Sequence, residues 1–146
     1  MDSERRRIIE HECKNLSIAY ARYVDFQEYE QFVELFAPDG ELNVTGRPVI
    51  GHENLTKAMA MRSDSLRSRH VLTNIYTNVI DEDHAEGISY LTLYRHEGGD
   101  HRSDDEGPRE ITGPAAIGHY RDKFIRTDEG WRFASRVLYF AFRVKT

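Results

Sequence analysis

The chain has 146 residues, 39% of them hydrophobic and 31% charged, a net charge of −5 and one cysteine. That length fits one domain over residues 1–146, in which folding buries about two-thirds of the unfolded chain's surface, so Cys13 reads as a small buried hydrophobe rather than part of a disulfide framework. An acidic balance excludes nucleic acid as a partner, and the absence of a bilayer-length apolar run or a signal-peptide core makes a cytoplasmic protein away from membranes the expectation.

The first predicted element runs from Ser3 to Val24. Its apolar residues Ile9, Cys13, Leu16, Tyr20 and Tyr23 recur at helical spacing, so Tyr20 points toward a core. Arg5, Arg6 and Arg7 read as a solvated first turn. Asp25, with Glu28 three residues on, has the pattern of an N-cap and its capping-box partner, which predicts a second helix from about Phe26 to Phe36. Ala37-Pro38-Asp39-Gly40 then reads as a turn. A short strand over 41–46, a shorter extended piece before Gly51 and a third helix from His52 or Glu53 follow.

From Arg69 the periodicity changes. Residues 69–80 and 85–96 are rich in β-branched and aromatic side chains and read as a long antiparallel hairpin. Strict alternation puts His70, Leu72, Asn74 and Tyr76 on one face, a mixture that suits a pocket wall. Residues 97–114 read as a long mobile loop; His96, Asp100, His101, Asp104 and Asp105 match no compact metal motif, so no metal site is expected. A second hairpin, 115–126 and 131–144, closes the chain. Its last strand is apolar on both faces, with Trp131, Phe133, Val137 and Tyr139 on one and Leu138, Phe140 and Phe142 on the other. One face is left without a helix to cover it, which predicts a homodimer, or otherwise a trimer, through the outer sheet face. Helices first and antiparallel strands afterwards indicate an α+β fold with a curved sheet.

Leu35-Phe36-Ala37-Pro38-Asp39-Gly40, Gly51-His52-Glu53-Asn54-Leu55, Arg69-His70-Val71-Leu72-Thr73-Asn74 and Gly130-Trp131-Arg132-Phe133, in that order, resemble the SnoaL-like branch of the NTF2-like superfamily. The resemblance implies a cone: a curved, mostly antiparallel sheet around a hydrophobic pocket, with three helices in the N-terminal half. It is similar in site pattern to bile-acid 7α-dehydratase, which pairs a tyrosine with an aspartate five residues later and a histidine at a strand start, matched here by Tyr20, Asp25 and His70. The match to scytalone dehydratase is poorer, because tyrosine and aspartate are adjacent there.

Each of the three residues has a structural alternative: Asp25 as a cap contributing about 1 kcal/mol, and Tyr20 and His70 as satisfied core residues. Together they offer a base, a hydrogen-bond donor and a carboxylate that sets the imidazole tautomer. The expected function is a dehydratase or isomerase needing no cofactor, acting on a small hydrophobic cyclic molecule of steroid, polyketide or aromatic kind. Tyr23, Asn74, Tyr76 and Tyr120 are expected to shape its pocket. Arg136 would bind an anionic group or, more in keeping with its position, pair with an acid across the sheet. The alternative is a non-catalytic ligand-binding or assembly subunit resembling the β subunits of ring-hydroxylating dioxygenases, to be distinguished by whether the cone is hollow or filled.

Overall fold

The computed structural model describes residues 1–98 and 104–145. Helix α1 (Ser3–Asp25) is capped by Asp2, whose side chain accepts the Arg5 N–H at 2.8 Å. Its stripe of Ile9, Cys13, Leu16, Tyr20 and Val24 is buried, and the helix lies across a curved sheet. Val24 rather than Tyr23 completes the stripe. Tyr23 is turned to a groove on the outer side of the helix, with Asn15, Ile18 and Arg22.

The end of α1 differs from the sequence expectation. Asp25 is the last helical residue and caps nothing after it; α2 covers only Tyr29–Glu34 and has no side-chain cap. The chain leaves α1 by a Schellman-type turn, with the Glu28 N–H on the Tyr23 carbonyl at 2.8 Å and Gln27 in the left-handed region at φ 59°. Glycine is usual at that position. Here the Gln27 amide donates to the carbonyls of Asp64 and Leu66, both at 3.1 Å, which holds the strained residue and ties the helix end to the next long strand.

The strands are β1 (Phe36–Asn43), β2 (Val49–Ile50), β3 (Leu66–Val79), β4 (His84–Glu97), β5 (Ala116–Thr127) and β6 (Gly130–Phe142), with α3 (His52–Ala60) between β2 and β3. They form one sheet in the order β2-β1-β6-β5-β4-β3, antiparallel except for the β1–β6 pair. Residues 37–40, read as a turn, lie within β1; the register shift between Phe36 and Glu41 accommodates Pro38, which has no N–H to give to a ladder. This gives the three-helix, mostly antiparallel curved sheet expected of the cone.

Three irregularities decide which side chains face inward. Between Thr73 and Tyr76, β3 carries one residue more than β4, and Asn74 takes φ 51°. This bulge reverses the alternation: Ser68, His70 and Leu72 face inward before it and Ile75, Thr77 and Val79 after it. Tyr76 is 66% exposed as a result. In β6 a shift between the partners of Lys123 and Phe124 puts Phe133 on the same inner side as Arg136 and Leu138, separating it from Val137 and Tyr139. A third shift sits at Ile117/Gly118, where β6 approaches so closely that a Cβ on residue 118 would strike the Tyr139 carbonyl. Gly118 therefore permits the bend of the sheet around its interior. Among the described residues no helix is long and apolar enough to cross a membrane.

Candidate active site

Asp25 and β3 make the first part of the site. Because α1 ends where β3 begins its inward-facing run, the Asp25 carboxylate meets three donors from that strand: Ser68 Oγ at 2.8 Å, the His70 backbone N–H at 2.8 Å and His70 Nδ1 at 2.6 Å. Both carboxylate oxygens are engaged, and Asp25 and the His70 ring are nearly enclosed. A carboxylate on Nδ1 selects the tautomer with its proton there, leaving the Nε2 lone pair as the basic position of the ring.

Tyr20 and Tyr120 make the second part. The Tyr20 ring stands edge-on to His70 at 6.2 Å between centroids and to Tyr120 at 5.5 Å. Burial pushes the phenol of Tyr20 above its ordinary range, against the opposing charge of Arg136. Tyr120 is raised further, by burial and then by Tyr20, with Arg136 again opposing. Both are hydrogen-bond donors at neutral pH.

Beneath them is a separate ionic cluster. Arg136 is 0% exposed. Its guanidinium grips Asp122 through Nε at 2.7 Å and Nη2 at 3.0 Å, and Nη2 also reaches Ser17 Oγ at 2.8 Å. Tyr20, Tyr120 and Phe133 surround it with ring centroids at 4.4, 4.0 and 4.6 Å from the guanidinium carbon. Burial works against its charge, yet Asp122 outweighs that and keeps Arg136 more basic than usual. The Asp122 carboxyl is raised by burial, with Arg136 opposing.

Tyr20, Ser68, His70 and Tyr120 open on one cavity of about 350 Å³. Leu91, Leu93, Ala116, Leu138, Phe140 and Val44 give it an apolar lining, and Arg62, Arg95 and Thr45 complete the polar part. A cavity of this size, mostly apolar with a few convergent polar groups, fits a small organic ligand.

Of the residues expected to bind substrate, Tyr120 lines the cavity and the others do not. Tyr23 is on the wrong side of α1. Asn74 is the bulge residue, and Tyr76 is turned to the outer face by it. Arg136 is held under the cavity floor by Asp122, the cross-strand partner in the β5–β6 register. His119, the neighbour of Tyr120, stacks on Tyr139 on the outer face at 5.4 Å. His52 opens α3 and contacts the Phe36 carbonyl at 2.7 Å, away from the cavity. Asp100 and His101 of the loop lie outside the described residues.

Ser68, Arg62 and Arg95 were not anticipated. The alternation Ser68–His70 was a usable signal for the first. Arg95 also had a usable signal: β4 alternates without a register shift against β5, with Ala85, Ser89, Leu91 and Leu93 facing inward, and Arg95 continues that face opposite Ser68.

Comparison with known proteins agrees with this architecture. A family model described as SnoaL-like domain matches residues 6–137. No curated protein sequence matches the chain significantly. Among solved structures, a protein of unknown function from Mycobacterium tuberculosis superimposes with TM-score 0.80 at 23% identity, over 99% of this chain and 78% of that one. A candidate scytalone dehydratase from Novosphingobium aromaticivorans gives TM-score 0.78 at 18% identity, over 99% of this chain and 94% of that one. A protein from Catenulispora acidiphila in complex with S-DNPA gives 0.70 at 18%, over 90% of this chain and 92% of that one. At such identities the likeness is one of fold, and the family match extends it to descent: the chain belongs to the SnoaL-like domain family.

Proposed function

We propose that the protein is an acid–base enzyme, a dehydratase or isomerase, acting on a small apolar cyclic molecule that carries a carbonyl group. The observation behind this is one cavity wall shared by His70, buttressed through Nδ1 by Asp25, and the protonated phenol of Tyr20. His70 Nε2 takes a proton from the carbon beside the carbonyl, and the electron pair moves onto the carbonyl oxygen as an enolate. Tyr20 donates a hydrogen bond to that oxygen, an interaction worth several kcal/mol in a water-poor site. Asp25 stabilises the imidazolium that forms. In a dehydration the enolate then expels a β-hydroxyl, which leaves as water with the proton from Nε2. In an isomerisation the same proton returns to a different carbon.

The hollow interior favours this over a filled assembly module, since the alternative subunit has no need of a cavity lined by a histidine and two phenols. The test is deuterium exchange from solvent into cyclic ketones of steroid, polyketide and aromatic type, followed by mass spectrometry. His70→Ala should slow exchange by about 10²–10⁴-fold, the usual contribution of a positioned base. Exchange that survives this substitution, or that no ketone of the series undergoes, overturns the proposal.

We further propose a homodimer through the outer sheet face. Val71, Tyr90 and Tyr139 are exposed there on three strands, with Tyr139 50% exposed. Packing two such faces should bury more than about 1,000 Å², and light scattering that finds a monomer at micromolar concentration rules it out.

A further inference from the structure

The acid–base chemistry uses neither arginine of the cavity wall. Arg62 follows α3 and is half-buried; its guanidinium carbon is 5.8 Å from the centroid of the Tyr29 ring, and its Nε is buried with no hydrogen-bond partner. Arg95 comes from β4, directly opposite Ser68 and on the face that carries Leu93, the partner of His70. It is exposed, so it stands toward the cavity's opening. Among the described residues neither side chain forms an ion pair. The carboxylate nearest the site, Asp25, has both oxygens taken by Ser68 and His70. Among the described residues, the cavity therefore holds two arginines and no carboxylate free to balance them.

That imbalance is out of keeping with a neutral ligand. A partly buried guanidinium loses hydration and regains the cost when a planar anion meets it, and a carboxylate does so with two parallel hydrogen bonds. We infer that the ligand of this cavity is an apolar organic acid: its carboxylate meets Arg62, Arg95 adds attraction from the opening, and its hydrocarbon body rests on Leu91, Leu93, Leu138 and Phe140. The inference rests on the cavity being the substrate site, and narrows the substrate class from cyclic carbonyl compounds to those with a carboxylate apart from the reacting carbonyl. It also gives the enzyme a means of orienting a substrate whose other contacts are non-directional.

Titration calorimetry with 2-naphthoate and 2-naphthamide, a pair of matched shape and different charge, tests it. The wild-type protein should bind the acid at least about tenfold tighter than the amide, a preference that falls as salt is raised. Arg62→Gln should remove most of that preference and leave amide binding in place, and Arg95→Gln should reduce it by a smaller factor; circular dichroism melts establish that both variants fold. Equal affinities overturn the inference, as does a preference that survives the double substitution, or failure of the acid to bind at millimolar concentration. His70→Ala should keep the preference for the acid. A protein that shows the preference but exchanges no deuterium upholds the anion site and refutes the acid–base function, while one that exchanges deuterium without the preference does the reverse.

Discussion

Two clusters in this molecule are built from the same parts and do different work. At the cavity wall, a carboxylate, a serine and a cationisable ring join helix α1 to strand β3: Asp25, Ser68 and His70. In the core, a carboxylate, a serine and a guanidinium join α1 to β5 and β6: Asp122, Ser17 and Arg136. Both touch the ring of Tyr20. The difference is what each leaves unspent. Arg136 is closed in by Asp122, Ser17 and three rings, so that even its unpartnered Nη1 is out of reach of a ligand. His70 uses one ring nitrogen on Asp25 and belongs to the lining of a hollow space. Ion pairing alone therefore does not mark a reactive group; on the proposed function, what sets His70 apart is that it also lines a cavity.

The comparison is broken most severely by Arg136→Met. It removes the partner of a fully enclosed carboxylate, and breaking such a pair from one side costs about 3–5 kcal/mol. Urea denaturation should show that loss, and adding Asp122→Leu should restore a large part of it by removing the orphaned charge. A single variant within about 1 kcal/mol of wild type would mean that the core pair contributes little. Asp25→Asn comes next. It replaces an acceptor of three hydrogen bonds by an amide, and weakening bonds to a charged carboxylate should cost about 1.5–3 kcal/mol. Its larger consequence is chemical: nitrogen NMR of His70 should show the proton on Nδ1 in the wild type and a mixture of tautomers in the variant. Unchanged tautomers would mean that Asp25 only braces the strand.

How far these clusters could be read from sequence follows from what builds them. The order of elements and the buried stripe of α1 were legible because helical and strand periodicity carry them, while the grouping of Tyr20, Asp25 and His70 came from the resemblance to a family pattern. The cap reading of Asp25 fails because the chain leaves α1 with Gln27 in a left-handed turn where glycine is usual, held by carbonyls of Asp64 and Leu66 that are far along the chain. Asn74 and Tyr76 were assigned to the pocket by strict alternation, and one extra residue in β3 sent them outside. Asn74 is of a type that tolerates the left-handed region, but asparagine in a strand is too common to announce a bulge. Arg136 was legible as an ion pair and not as the floor beneath two phenols, since its depth depends on the register shift in β6.

A milder perturbation is pH. Burial raises Tyr20, and Tyr120 further, so both stay protonated where the unfolded chain already ionises. For groups raised in the folded state, the stabilisation is whole below the unfolded value of about 10 and is lost as pH rises through the folded values. Stability should therefore fall from about pH 10 upward. The tyrosinate absorbance of these two residues should appear together with unfolding rather than before it. Tyr20→Phe should make the fall shallower. Early ionisation of both phenols in the folded protein would show them in contact with water, and would weaken the assignment of Tyr20 as a donor.

The reactivity of a buried thiol discriminates most finely between the two clusters. Cys13 lies one turn before Ser17 on the buried face of α1, and its thiol is pushed up to about 12 by burial first, then by Glu12 and Asp122. A buried thiol that stays protonated reacts with disulfide reagents only when the helix leaves the sheet. At mildly alkaline pH the folded wild type should show no labelling on the time scale of mixing, only a slow rate set by rare opening. If that opening is global, labelling of each variant should accelerate by its loss of unfolding free energy, tenfold for about each 1.4 kcal/mol. Arg136→Met should then label about a hundredfold or more faster, from the loss argued above, and Asp25→Asn less. Rapid labelling of Asp25→Asn with its urea midpoint nearly unchanged would reveal something else. The Asp25–Ser68–His70 cluster would then be a latch for the C-terminal end of α1, and the cavity would open by lifting that helix.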